Sequence, residues 1–381
     1  MVSIHHSNSH DFEFMAKALK LAAKGKNTCM PNPAVGCIIS KNGRIIGEGW
    51  HEKSGEDHAE VSALKSLNSS AKGSTVYVTL EPCSYHGRTG SCVDMLIKSG
   101  VSRVVFGMTD PNPKVCGQGI MELEKAGILV EGPILESEAQ YLNRGYIKRH
   151  QDGLPWLTIK MAMSIDGRTA MSDGKSQWIT GIYAREDVQK IRAESCAIIT
   201  GIGTILQDDP SLTVRYKKSE KISRLKDASK SLNSLPLKQP LRVVVDSELK
   251  LPENAKILSS PGHVLIASAI AGQTFTSAQL DTVCLANREG KVDLLKLIKI
   301  LAEKECNNVL IESGPTLAGA FMQMGLVDEL IIYMAPKLLG NISRPLLCLP
   351  FIHLAQGIKL DIKDTRLVGE DIRITAQVRK N

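Results

Sequence analysis

No apolar run in these 381 residues is long enough to span a bilayer. The opening stretch, Met1 to Asp11, also lacks an apolar secretory segment, so neither a membrane-embedded nor an exported protein is expected. Aromatic residues make up only 4%, which argues against extensive base stacking on single-stranded nucleic acid. No internal repeat is present. A disulfide framework is missing too: the nine cysteines are scattered and two of them fall in a ligand pattern. Reduced thiols in a cytoplasm are the expected state. The net charge of +7 is mild for this length. It suits a phosphorylated small molecule as well as RNA and does not choose between them.

What is present is the composition of an ordinary folded protein, 43% hydrophobic and 23% charged. The length is generous for one core, so two domains are expected. Residues 1–10 are polar and rich in His and Ser, which reads as a loose tail. Asp11 reads as a helix cap before apolar positions Phe12, Met15, Ala16, Leu19 and Ala23 at helical spacing, with Gly25 as the stop. Ala34 to Ser40 and Arg44 to Trp50 read as strands joined at Asn42-Gly43, a strong hairpin turn. His58 then opens a helix to about Leu67. Ser74 to Leu80 is a strand whose end delivers Glu81-Pro82-Cys83 into the next helix start. His58 and Cys83 are thus expected at adjacent helix N-termini, whose positive ends favour a thiolate. Val101 to Met108 is a further strand, ending at Thr109-Asp110-Pro111-Asn112-Pro113.

A boundary is expected near residue 153, where Gln-Asp-Gly separates a polar helix from a new strand. Beyond it, strand and helix patterns alternate. The strands are Trp156 to Met163, Cys196 to Thr200, Leu241 to Asp246, His263 to Ser268, Val309 to Glu312 and Leu330 to Met334; the helices lie near Tyr183 to Arg192 and over Val292 to Lys304. That alternation predicts an α/β domain with a largely parallel sheet. Residues 216–240 carry many Lys and Ser interrupted by acidic residues, and read as a solvated surface insertion rather than a nucleic-acid patch.

The chemistry concentrates in a split cluster, His58-Ala59-Glu60, then Pro82-Cys83, then Cys92. One imidazole and two thiolates fill three tetrahedral positions of zinc and leave the fourth for water. A carboxylate two residues past the histidine, Glu60, is the natural general acid/base there. His-x-Glu with Pro-Cys and a further Cys is the signature of zinc-dependent nucleobase deaminases. The alternative is a structural zinc knuckle with His86, between the cysteines, as fourth ligand. In the second half, Gly201-Ile-Gly203-Thr204 lacks the third glycine of a dinucleotide fingerprint. Ser313 to Gly319 is a better phosphate cradle, since small residues open a helix just after a strand, although a plain strand-to-helix turn would look the same.

Eight residues separate Cys83 from Cys92 where Cys-x-x-Cys is usual, and Gly87-Arg88-Thr89 lies between them. On that spacing the chain resembles the bifunctional riboflavin-biosynthesis deaminase/reductase family; it departs from the family's pattern in Gly90-Ser91 before Cys92. The stretches around Lys160 to Arg168, Ser176 to Thr180, Asp208 to Arg215 and Glu312 to Thr316 match the reductase half of the same family. The resemblance implies a cytidine-deaminase-like α/β/α domain over 1–153, then a dihydrofolate-reductase-like α/β domain over 154–381. It implies one Zn2+ per chain on His58, Cys83 and Cys92, Glu60 as catalytic residue, and NADPH as second cofactor. Asn32, Asp110 and Asn112 would contact the deaminase substrate. Ala162, Trp178, Thr204, Asp208, Ser247 and the run Gly314, Pro315, Thr316, Leu317, Ala318, Gly319 and Ala320 would contact NADPH. Lys160, Ser176, Arg192, Leu212, Arg215 and Glu312 would contact the reductase substrate. Two arginines suit it, because a guanidinium forks a phosphate.

The expected activity is hydrolytic deamination of a diamino-ribosylamino-pyrimidinone 5′-phosphate, followed by NADPH-dependent reduction of its ribosyl group. The expected partners are that phosphorylated pyrimidine and further copies of the chain, with no nucleic acid and no membrane. Two rivals stand beside it. A tRNA or nucleic-acid deaminase would share the zinc cluster but needs concentrated basic and aromatic surface. A zinc-organised binding protein would need a fourth protein ligand and would release no ammonia.

Overall fold

The computed structural model describes residues 9–84, 90–113, 115–215, 238–272 and 279–380. The chain divides into two compact units, Met1–Leu154 and Pro155–Asn381. His86, the Gly87-Arg88-Thr89 stretch and nearly all of the 216–240 segment lie outside the described residues.

The first unit begins with α1 (Ser9–Ala22), followed by the hairpin β1 (Gly36–Lys41) and β2 (Arg44–Trp50). Positive φ at both Asn42 and Gly43 makes the tight turn that their sequence predicts. Then come α2 (Ala59–Lys65), β3 (Thr75–Val78), α3 (Cys92–Lys98), β4 (Arg103–Phe106), α4 (Gln118–Lys125), β5 (Leu129–Glu131), α5 (Glu136–Leu142) and α6 (Arg144–Asp152). The five strands form one sheet in the order β2-β1-β3-β4-β5. Alternation along them builds two cores. Cys37, Ile39, Val76, Val78, Val104 and Phe106 pack with residues of α2, α3 and α4 on one face. Ile38, Tyr77 and Val105 pack with Phe14, Met15, Ala18 and Leu21 of α1 on the other. Gly49 of β2 lets α2 lie close: a Cβ there would come within 2.3 Å of the Ala63 amide nitrogen. The helix that carries Glu60 is therefore seated directly on the sheet.

Two expectations change here. Asp11 lies inside α1 rather than capping it. Its buried carboxylate accepts from the Tyr77 hydroxyl at 2.7 Å and from the Arg103 fork at 2.9 Å on each arm. Local spacing could not reveal partners 66 and 92 residues away. Cys83 does not start a helix either. Cys92 is the first residue of α3, whose cap is Ser91. The two helix N-termini that meet belong to His58 and Cys92.

The second unit runs β6 (Trp156–Ser164), β7 (Arg168–Ala170), α7 (Ile182–Ala193), β8 (Ala197–Gly201), α8 (Ile202–Asp208), β9 (Leu241–Val245), α9 (Lys256–Ser259), β10 (Val264–Ser268) and β11 (Leu280–Cys284). It continues with α10 (Leu294–Glu303), β12 (Asn308–Ile311), α11 (Pro315–Gln323), β13 (Glu329–Ala335), β14 (Arg344–Pro345), β15 (Leu360–Val368) and β16 (Asp371–Val378). Nine strands form a sheet in the order β11-β10-β9-β8-β12-β6-β13-β16-β15. From β11 to β13 every pairing is parallel; β16 and β15 add an antiparallel margin. The inner parallel strands such as β8, β9, β10 and β12 read as near-continuous apolar runs because both faces are covered. The terminal hairpin is mostly exposed on β15, with charged residues along it, so it carries no such run. No helix among the described residues is long and apolar enough to cross a membrane.

Candidate functional site

In the first unit, the N-terminus of α2 and that of α3 bring His58 and Cys92 to the loop after β3 that carries Cys83. The ligand atoms of the three residues all lie within 4.8 Å of one another, and they form the metal-suited group found among the described residues. His58 Nδ1 is 3.2 Å from Cys92 Sγ and 3.5 Å from Cys83 Sγ. Tetrahedral zinc with ordinary bond lengths sets nitrogen–sulfur edges of about 3.5 Å, so the donor set fits that ion in kind and in spacing. The Cys83 thiol is pulled down to about 4, first by a hydrogen bond from Cys92 and then, against burial, by His58. A thiolate is what zinc requires.

Glu60, on the first turn of α2, is only 4% exposed. Burial, reinforced by the charge of Cys83, lifts its carboxyl to about 7. A group so placed can hold or release a proton near neutrality. His51 lies edge-on to His58 with ring centres 5.6 Å apart. Its Nδ1 meets the Asp57 carbonyl at 2.9 Å, an acceptor only, so Nδ1 carries the hydrogen and Nε2 is left to accept from the Asn32 side-chain amide at 3.0 Å. Asn32 is thereby oriented. Asp110 and Asn112 share the loop after β4. The Asp110 carboxylate accepts from the Asn112 amide at 2.8 Å and the Tyr146 hydroxyl at 3.1 Å, and burial lifts it to about 6.

In the second unit, the C-terminal ends of β6, β8 and β12 open into a cavity of about 1060 Å³. That is at the upper end of small-molecule sites and leaves room for two ligands together. Lys160, Ala162, Ser176, Trp178, Arg192, Thr204, Asp208, Leu212, Arg215, Glu312, Gly314, Pro315, Thr316 and Leu317 all line it. Ser247, Ala318, Gly319 and Ala320 do not. The Ser247 hydroxyl accepts from the Val292 amide at 3.2 Å. Ala318 is wholly buried, and Gly319 faces the Cys348 carbonyl so closely that a Cβ would approach to 2.2 Å. Gly314 caps α11 with Pro315 in its first turn, presenting free helix amides to the cavity. Trp178 is exposed, with the Arg185 guanidinium 4.5 Å above its ring, and Ser176 donates to Asp208 at 3.2 Å.

Glu312 sits at the end of β12, buried, between two cations. Arg192 grips both its oxygens, at 2.6 and 3.0 Å, and Lys160 Nζ is 3.1 Å away. Burial alone would raise this carboxyl. The Arg192 charge and then that of Lys160 overcome it and hold Glu312 at about 2. The two arginines expected at a phosphate differ in their partners. Arg192 has its fork closed on Glu312 and its remaining arm on the Thr213 carbonyl at 3.2 Å. Arg215 is the exposed one.

The model of the cytidine and deoxycytidylate deaminase zinc-binding region matches residues 8–108, and that of the RibD C-terminal domain matches residues 155–374. The riboflavin biosynthesis protein RibD of Escherichia coli (strain K12) is 46% identical over 364 residues, covering 95% of this chain and 98% of that protein. The chain belongs to the RibD family of bifunctional riboflavin-biosynthesis deaminases/reductases. Its counterpart in Haemophilus influenzae is 42% identical over 370 residues, 97% of either chain. The solved structure of Acinetobacter baumannii RibD superposes with a TM-score of 0.87 at 40% identity, over 97% of this chain and 99% of that one. That of the Thermotoga maritima diaminohydroxyphosphoribosylaminopyrimidine deaminase/5-amino-6-(5-phosphoribosylamino)uracil reductase gives 0.85 at 27%, with the same coverage. In this chain the first unit is a zinc-binding deaminase domain, and the second is a pyrimidine reductase domain of the NADPH-using kind.

Sequence reasoning missed three groups of this chain. His51 orients Asn32 and Tyr146 holds Asp110. Glu81 accepts three backbone amides from the loop between β4 and α4. Each is a single polar residue, His51 and Glu81 just past strand ends and Tyr146 within α6, with no ligand spacing around it. The one available signal was Glu81 standing beside Pro82-Cys83.

Proposed function

We propose that the chain runs two consecutive steps on one phosphorylated pyrimidine, with units 1–153 and 154–381 as separate modules. The first hydrolyses the exocyclic amine of 2,5-diamino-6-ribosylamino-4(3H)-pyrimidinone 5′-phosphate, taking up water and releasing ammonia. The second reduces the ribosyl group to give 5-amino-6-ribitylaminouracil 5′-phosphate. The observation that carries the reading is the buried Glu60 carboxylate two residues past His58 of a three-member soft-ligand set, in the same chain as a cavity large enough for a dinucleotide and a sugar phosphate.

His58, Cys83 and Cys92 would hold the zinc, which when bound would supply the Lewis acidity that makes water nucleophilic at neutral pH. Glu60 takes the proton that water loses and hands it to the departing amine, a transfer for which a carboxyl poised near 7 is suited. Asn32 and the Asp110–Asn112 loop hold the pyrimidine edge and ribose. In the second unit the Gly314 end of α11 and Trp178 would hold NADPH, which would supply the hydride for the ribosyl carbon of the open imine form, the imine nitrogen gaining the proton. The free amides of Gly314, Thr316 and Leu317 suit a cofactor phosphate. Glu312 and Lys160 face the sugar, and Arg215 suits the substrate phosphate. The enzyme acts in the cytoplasm as a homo-oligomer.

The test supplies the diamino-pyrimidinone 5′-phosphate to the purified zinc-loaded chain, with and without NADPH. Ammonia should appear in both cases, and NADPH should be consumed one for one with the deaminated product. NADPH consumption by substrate that has not been deaminated would overturn the order of steps, and no ammonia at all would overturn the deaminase assignment.

A further inference from the structure

Glu81 is 3% exposed and makes no ion pair among the described residues. A buried carboxylate without a cation must be held by hydrogen bonds, because its charge is otherwise costly to desolvate. Three backbone amides supply them. One carboxylate oxygen accepts from Asp110 at 3.2 Å and Gly117 at 3.0 Å, and the other accepts from Gly119 at 3.1 Å.

Those donors have a common meaning. Gly117 is the N-cap of α4 and Gly119 lies in its first turn, and α4 has no side-chain cap of its own. Glu81, at the end of the strand that leads to Cys83, serves as that cap from a distance, where a helix terminus favours a negative charge. The Asp110 amide lies at the other end of the same loop. One carboxylate thus clasps both ends of the segment that carries Asp110 and Asn112. The fit is tight: a Cβ on Gly119 would come within 2.0 Å of the Pro82 carbonyl oxygen. The Glu81 amide closes the clasp from its own side, donating to the Met108 carbonyl at 2.9 Å.

We infer that Glu81 is a positioning residue for deamination. By clasping the 108–119 loop it sets where Asp110 and Asn112 stand relative to Cys83, two residues further along its own chain, and so fixes the substrate edge against the ligand set. The inference rests on the deaminase reading of the first unit and adds a residue that touches neither substrate nor metal. Sequence separation hid it, since the clasped amides lie 29, 36 and 38 residues away.

The experiment compares Glu81→Gln with the parent in the full chain, measuring zinc content, deaminase kcat and KM, and reduction of supplied deaminated substrate. A glutamine amide accepts through one atom only, so at best two of the three bonds survive and the third site meets a donor. Expected are one zinc per chain, unchanged reduction, and a deaminase KM raised about tenfold or more, with kcat within about threefold. Glu81→Asp, which keeps the charge but withdraws it by one methylene, should fall between. Gly119→Ala, which pushes α4 off Pro82 while leaving Glu81 intact, should show the same rise in KM. Leu21→Ala, a core truncation in α1 on the opposite face of the sheet, is the stability control: it should lower the unfolding temperature and leave KM alone. An unchanged KM in Glu81→Gln, a loss confined to kcat, or loss of zinc overturns the inference while the function stands. A parent chain that releases no ammonia overturns the function and the inference with it.

Discussion

Arg192→Gln removes one cation from a buried carboxylate and leaves the other. In the parent, Glu312 is depressed from 4.5 to about 2 despite its burial, which corresponds to about 3 kcal/mol of stabilisation. The sign follows from the depression: this stability is complete above about pH 4.5 and is lost as pH falls through 2. Taking one partner from a buried pair costs about 3–5 kcal/mol, because the remaining charge stays desolvated. The two magnitudes agree. For a unit the size of Pro155–Asn381, each kcal/mol moves the melting temperature by about 2–4 °C, so a fall of roughly 6–20 °C is expected. Lys160 keeps Glu312 partly paired, which favours the lower half of that range. Scanning calorimetry of the full chain at pH 7 and across pH 2–5 measures both effects. The variant should lose stability at neutral pH and show a flatter acid limb, since less remains to be titrated away. Arg192→Gln with Glu312→Gln should recover part of the loss by removing the stranded charge. A melting temperature within about 2 °C of the parent, or an unchanged acid limb, would refute the claim that Arg192 is spent on Glu312 and would return it to the pool of phosphate-binding groups.

Three further substitutions separate the roles. Glu60→Gln should retain zinc and fold while ammonia release falls by roughly two to four powers of ten, the usual scale for a positioned acid/base; near-normal release would remove Glu60 from the chemistry. Cys83→Ser should lose zinc by metal analysis and abolish deamination, yet leave reduction of deaminated substrate intact; loss of both activities in a folded variant would mean that the units are not separate modules. Arg215→Ala should raise the reductase KM about ten- to over a hundredfold, the equivalent of a charge-assisted contact worth about 1.5–3 kcal/mol, with deamination unchanged; an unaltered KM would take Arg215 off the substrate phosphate.

Most elements of the fold could be read from local pattern. The Asn42-Gly43 hairpin, the strands β3, β4, β6, β8, β9, β10, β12 and β13, and the helices α2, α7 and α10 follow from alternation, apolar runs and turn residues that act over a few positions. The terminal strands β15 and β16 escaped such reading. β15 is almost wholly exposed with charged residues along it, so nothing in its composition demands burial. The helix expected at Cys83 failed for a related reason: Pro-Cys after a strand resembles a helix start, but the helix begins only at Cys92, with Ser91 as its cap.

The sequence by itself determined which atoms could meet a metal. His58, Glu60, Cys83 and Cys92 are a chemical set, and hard and soft ligand preferences hold wherever the residues end up. It determined two units and a parallel α/β second half, because periodicity is a local property. The tertiary structure alone decided what each charge is used for. Arg192 and Arg215 are indistinguishable as letters and both line the cavity, yet one is buried against Glu312 and the other is exposed. Asp11 resembled a cap and is an ion-pair partner in the core; Glu81 resembled nothing and clasps a loop. The physical reason is the same in each case. A buried charge takes its role from whichever partners the fold brings within about 3 Å, and those partners are tens to more than a hundred residues away along the chain.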